Sequence, residues 1–141
     1  MPMPEKTFAV FIYGSLLPGH GNHHVAAPYI RLTQPGVIAG RLVDYGPYPA
    51  LVRDAEAQAK GASVCGLWIT VDERGLREMD ELEQFVGIEE ENDYDRVWAE
   101  DLEASEYRGW VYVWESPRGC PAIEETYWPD YLARRGKKEY E

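Results

Sequence analysis

Residues 8–19 read Phe8-Ala-Val-Phe-Ile-Tyr13-Gly14-Ser15-Leu16-Leu17-Pro18-Gly19. An apolar, β-branched and aromatic run that stops abruptly at turn residues is the pattern of a buried strand, here about Thr7–Tyr13. Gly14 is free to take a positive φ and leaves its backbone open to close approach. Ser15 adds a small hydroxyl, Leu16 and Leu17 pack the exit, and Pro18-Gly19 breaks the chain again. A strand delivering a tight glycine turn can aim backbone N–H groups at an anion or an oxyanion. The same residues also make an ordinary first strand and its turn, and the stretch alone leaves both readings open.

Around this stretch, 141 residues predict one domain, 1–141, with frayed tails at 1–6 and 136–141. The length suffices for a core without disulfide or metal staples. Cys65 and Cys120 are far apart and lack metal-ligand spacing, so a reduced pair is expected. No stretch approaches a membrane span, and Met1-Pro-Met-Pro-Glu-Lys6 is unlike a secretion signal, so the expected location is cytoplasmic. The net charge is −11, and the segment 72–106 holds fifteen acids against three arginines. Such a surface repels phosphate backbones, which argues against nucleic acid as a partner. Nothing in the pattern sets an oligomeric state.

The three histidines, His20, His23 and His24, fall within five residues. No carboxylate or thiol lies near them in sequence to complete a metal site, so none is expected. A nucleophile pair of Ser15 with His23 or His24 is conceivable, but the Gly-x-Ser-x-Gly elbow is absent.

Further strands are expected at Val37–Asp44, with Gly40 marking a bulge, at Ala50–Val52 and at Ala62–Val71. Asp54–Lys60 reads as an exposed loop. Residues 86–93 read as an acidic loop, and Tyr94–Trp98 and Glu100–Glu103 after it read as strand edges. Tyr107–Trp114 is an aromatic strand on which Tyr112 faces away from Val111 and Val113. A final helix over Ile123–Arg135 is expected to be interrupted by Pro129.

Between the strands the period changes to that of a helix over Asp72–Val86, with a capping box at Thr70-Val-Asp-Glu73 or Asp72 itself as N-cap. With Leu76 at zero, Met79, Val86 and Leu82 lie at about −60°, −80° and −120°, and Glu83 lies inside this arc at about −20°. A carboxylate on an apolar helix face is costly unless paired, bonded or protonated. Burial raises its pKa, which suits it to take and return protons near neutrality. The structural alternative is that Glu83 holds a loop through an arginine or a backbone donor.

Four ordered segments resemble the gamma-glutamylcyclotransferase-like family: Tyr13-Gly-Ser-Leu16 with Asn22-His23, Gly40-Arg-Leu-Val-Asp-Tyr-Gly46 with Tyr48-Pro-Ala-Leu-Val52, Met79-Asp-Glu-Leu-Glu83, and Tyr94-Asp-Arg96 before the 110–114 strand. The resemblance implies an α+β fold, a small mixed β-barrel with helices packed around it. It implies release of 5-oxoproline from a gamma-glutamyl amine or peptide, with Glu83 as general acid/base and no cofactor. Tyr13, Gly14, Ser15 and Leu16 would bind substrate, with Tyr112 lining the pocket. The alternative is a non-catalytic binding module using the same pocket. Gln84-Phe85 stand where the family often has glycine, and Met79 where leucine is common.

Overall fold

A computed structural model describes residues 6–46, 48–83 and 94–135. The opening stretch forms β1 (Thr7–Ile12), the middle strand of a five-stranded sheet. The chain continues through α1 (His23–Ala26), β2 (Ile30–Ala39), β3 (Arg41–Asp44), β4 (Pro49–Val52), α2 (Ala55–Lys60), β5 (Ser63–Asp72) and α3 (Glu73–Leu82). After the undescribed 84–93 come β6 (Asp95–Glu100), β7 (Arg108–Val113), β8 (Ala122–Ile123) and α4 (Trp128–Arg135).

The large sheet runs β2-β5-β1-β7-β6 and the small one β4-β3-β8. β1 pairs antiparallel with β5, from Thr7 opposite Asp72 to Ile12 opposite Leu67, and parallel with β7, Phe11 opposite Val111. Val10 and Ile12 pack into one core cluster with Ile69, Met79, Tyr112 and Trp114. Phe11 and Tyr13 pack into another with Leu51, Trp68, Val111 and Trp128. Both faces of β1 are therefore covered, which is why its sequence is continuously apolar rather than alternating.

Gly40 ends one sheet and starts the other. Its φ is +146°, and a Cβ there would lie 2.6 Å from Leu51 Cδ2, so the position requires glycine on both counts. The expected single strand Val37–Asp44 is thus two strands in different sheets, with a change of sheet where a bulge was expected. Trp114 N–H donates to Leu51 O at 2.9 Å and the bridge Val52–Trp114 ties the two sheets together. The outer strand β2 also meets the end of β6: Leu102 N–H donates to Val37 O at 2.8 Å and Val37 N–H to Asp101 Oδ1 at 2.7 Å. The fold is mixed α+β with a curled sheet, and no closed barrel is found among the described residues.

Asp54–Lys60 is not a loop. Asp54 Oδ1 accepts the Ala57 N–H at 2.9 Å and Gly61, at φ 60°, closes α2 with a left-handed cap. Only Ala57 of this helix is buried, so no apolar stripe announced it. The residues Tyr94–Glu103 give one strand, β6, and then a turn whose amides Glu103 and Ala104 donate to Asp101 Oδ2. Pro129 does not interrupt α4 but stands at its start, where the missing N–H leaves no helical bond unmade. The expected acidic loop 86–93 lies outside the described residues, as do the tails but for Lys6. Among the described residues no helix is long and apolar enough to cross a membrane.

Candidate active site

β1 ends at Ile12 and the chain turns at once: Leu17 N–H donates to Gly14 O at 3.0 Å, and Asn22 N–H to Ser15 O at 2.9 Å. The N–H groups of Ser15 and Leu16 donate to no backbone carbonyl among the described residues. Gly14 is not in the left-handed region. The reason for glycine is contact: a Cβ would sit 2.7 Å from Pro49 Cγ. The turn thus lies directly on the first residue of β4. Ser15 Oγ accepts from Asn22 Nδ2 at 2.9 Å, while His23 Nδ1–H donates to Leu16 O at 2.8 Å. The imidazole of His23 therefore serves the turn's backbone rather than the Ser15 hydroxyl. Among the described residues no three His, Cys, Asp or Glu side chains converge as metal ligands.

The turn forms part of a cavity of about 370 Å³. Tyr13, Gly14, Ser15, Leu16, Glu83 and Tyr112 all line it. Sequence neighbours and residues far apart are thus gathered at one place. Asn22, Tyr45, Tyr48 and Tyr94 line it as well.

Glu83 arrives differently from the helical-arc expectation. Asp72, and not a Thr70 box, caps α3, its Oδ1 accepting the Gly75 N–H at 2.9 Å, because Thr70 is still inside β5. Gly75, Leu76 and Met79 are buried, but the helix ends at Leu82 and Val86 lies outside the described residues. Glu83 is the C-cap: its N–H donates to Met79 O at 2.9 Å and its carbonyl accepts the Tyr94 N–H at 3.2 Å. That last bond brings Glu83 and the start of β6 together on the cavity wall.

Tyr13 and Tyr112 bring hydroxyls into this region. Tyr13 Oη donates to Tyr112 O at 2.6 Å and accepts from Leu51 N–H at 3.1 Å. Burial pushes its pKa up, and the charge of Glu83 adds to this against the Leu51 bond. Tyr112 Oη donates to Asp80 Oδ1 at 2.6 Å, and Asp80 Oδ2 is paired with Arg96 Nη1 at 2.6 Å. Burial raises the Tyr112 pKa most, followed by the hydrogen bond and charge of Asp80 and the charge of Glu83, with Arg96 opposing. Both phenols therefore stay protonated at neutral pH. Tyr94 Oη donates to Pro49 O at 2.9 Å.

Sequence reasoning missed the contribution of Tyr45, Tyr48 and Tyr94 to the cavity. Tyr45 N–H donates to Tyr48 O at 3.0 Å, and Asp44, at the end of β3, accepts from Gly46 N–H at 2.7 Å and from the Tyr131 hydroxyl of α4. Tyr131 thus braces the loop that carries Tyr45 and Tyr48.

A mixed α+β domain that brings a glycine turn and a half-buried glutamate to one cavity defines a class of small pocket proteins. Residues 10–130 match the family described as gamma-glutamyl cyclotransferase, AIG2-like, and the chain belongs to that family. It is 34% identical over 118 residues to gamma-L-glutamyl-butirosin B gamma-glutamyl cyclotransferase of Niallia circulans, covering 80% of this chain and 72% of that one. An AIG2-like protein from Mus musculus shares the fold at TM-score 0.69 and 24% identity, over 96% of each chain. YkqA from Bacillus subtilis does so at TM-score 0.68 and 20% identity, over 94% of this chain and 44% of the longer one.

Proposed function

We propose that the protein is a cyclotransferase that releases 5-oxoproline from a gamma-glutamyl amine or gamma-glutamyl peptide, with Glu83 as general acid/base. The observation that carries this reading is the convergence on one cavity of Glu83 with Ser15 and Leu16, whose amides have no backbone acceptor among the described residues. The family membership and the activity named for the Niallia circulans relative support the reaction class.

In this mechanism the amides of Ser15 and Leu16 hold the substrate's α-carboxylate, which leaves its α-amine and γ-carbonyl to meet within one folded rotamer. The attack is intramolecular, so fixing that rotamer supplies much of the acceleration. Glu83 takes a proton from the substrate's α-ammonium group, and the resulting amine attacks the γ-carbonyl to form the new C–N bond. Glu83 gives that proton to the leaving nitrogen as the old C–N bond breaks, then takes the second proton from the ring nitrogen and passes it to the released amine. No water enters the balance, and the products are 5-oxoproline and the free amine. Ser15 serves as a spacer held by Asn22, because the nearby imidazole of His23 is turned to the Leu16 carbonyl.

The test is 5-oxoproline formation from a panel of gamma-glutamyl amines, gamma-glutamyl dipeptides and glutathione, with Glu83→Gln beside the native chain. Loss of a general acid/base costs on the order of 100- to 10,000-fold in kcat, and the variant's melting temperature should change little. Native-like turnover by Glu83→Gln would remove Glu83 from the chemistry. Ligand-induced stabilisation without product from any member would favour a binding module instead.

A further inference from the structure

Tyr112 presents a hydroxyl whose polarity is fixed before any substrate arrives. A phenol has one proton to donate and two lone pairs to accept with. The proton of Tyr112 is committed to Asp80 Oδ1 at 2.6 Å. Asp80 has no freedom to change this, since its other oxygen is held by Arg96 Nη1 at 2.6 Å, and an ionised carboxylate only accepts. Arg96 is in turn seated with its guanidinium 4.6 Å from the Trp110 ring centroid. All three partners come from different elements: α3, β6 and β7. The register that places Arg96 opposite Tyr112 sets the arrangement. Tyr112 lines the cavity that Glu83 lines, and its phenol feels the charge of Glu83. What it can offer a ligand there is a lone pair, and the group it can receive is an N–H donor.

We propose that Asp80, clamped by Arg96, holds the Tyr112 hydroxyl as a hydrogen-bond acceptor for the substrate's attacking amine. This rests on the cyclotransferase reading. The attacking amine must touch Glu83 to lose its proton, and after that loss it keeps two N–H bonds. An acceptor on one of them turns the nitrogen lone pair toward the γ-carbonyl, which is the orientation the cyclisation needs. Tyr112 is then a substrate-contacting residue, and Asp80 and Arg96 are positioning residues. The raised pKa of Tyr112 fits this role, because the phenol keeps the proton that binds it to Asp80.

The polarity can be reversed with one substitution. In Asp80→Asn the amide oxygen stays on Arg96, which can only donate, so the amide N–H₂ faces Tyr112. The hydroxyl must then accept from it and turn its own proton into the cavity, donor against donor. Activity is assayed with the panel member that the native protein cyclises fastest. Tyr112→Phe should lower kcat about tenfold and Asp80→Asn about a hundredfold, the scales for a missing and a wrong-signed partner. The double variant should behave like Tyr112→Phe, because no hydroxyl remains to misdirect; the second change then rescues the first. A merely structural Asp80 would instead leave the double variant at least as impaired as Asp80→Asn. That result would overturn the proposal, as would native kcat in Tyr112→Phe, a variant that retains the Asp80–Arg96 pair and does not depend on the folding of Asp80→Asn. A native protein that cyclises no member fails at the earlier step, and takes the cyclotransferase reading down together with this one.

Discussion

The cavity wall that comes from β1 is held by backbone groups, and the wall that comes from α3, β6 and β7 is held by charged side chains. Tyr13 and Tyr112 make the contrast concrete. Both are buried, at 7% and 3% exposure, and both feel the charge of Glu83. Tyr13 donates to a carbonyl of β7 and accepts from an amide of β4, so its hydroxyl joins the two sheets. Tyr112 donates to a carboxylate, and in the proposed mechanism its hydroxyl meets the substrate. The Tyr13 bonds also clamp the carbonyl of Tyr112 itself, so one tyrosine sets the backbone from which the other projects. Identical side chains in one cavity thus divide into a structural clip and a ligand-facing group, according to what takes their single proton.

The largest stability effect expected from this contrast is at Tyr13. Tyr13→Phe removes the partner of Leu51 N–H, at a residue with no exposure, and of the Tyr112 carbonyl. Two buried bonds lost at once should cost about 2–4 kcal/mol, read as a fall in the urea midpoint at unchanged slope. Tyr112→Phe should cost less stability and more kcat. If Tyr13→Phe left the midpoint alone and abolished turnover, Tyr13 would be a chemical group and the division would be wrong.

Gly14→Ala probes the same wall by crowding. Its methyl would enter at 2.7 Å from the Pro49 ring. Pro49 also receives the Tyr94 hydroxyl on its carbonyl, so a displaced Pro49 moves a second cavity residue. Overpacking of this kind costs about 1–3 kcal/mol, and KM for the gamma-glutamyl substrate should rise more than kcat falls. A rise in KM without any loss of stability would mean that the turn, and not β4, gives way.

β1 was legible because a strand buried on both faces must be continuously apolar and carries that pattern in one short window. α3 was legible from its period, but its end was not. The arc argument extended the helix to Val86, while the chain caps at Glu83 to bond Tyr94. Gly40 was visible as an irregularity. That it moves the chain to another sheet depends on Leu51 lying against it, a contact between residues that no local pattern relates. The Asp80–Arg96 pair was hidden for the same reason: the two sit on different elements, and only the seating of α3 beside β6 and β7 joins them. Local periodicity carries the faces of elements; the partners across a cavity come from tertiary packing.

Tyr131 offers the smallest and most selective perturbation, since its hydroxyl acts on the loop beside the cavity. Its hydroxyl donates to Asp44, which also accepts the Gly46 N–H and so shapes the loop bearing Tyr45 and Tyr48. Tyr45 is 49% exposed and packs edge-on to Trp114 at 5.0 Å, which places it at the rim of the cavity rather than in its depth. In the proposed mechanism the γ-glutamyl half of the substrate sits with Glu83 and the turn, which leaves the rim to meet the amine half. Tyr131→Phe removes one of the bonds that brace this loop and should cost about 1 kcal/mol of stability. Its kcat on the smallest gamma-glutamyl amine should stay native, because the groups that move protons are untouched. KM should rise a few-fold, and more for bulky amine halves than for small ones, when measured across a series of increasing amine size. A uniform rise across the series would instead place the loop's effect on the γ-glutamyl end, and would make the two walls and the rim one mechanical unit.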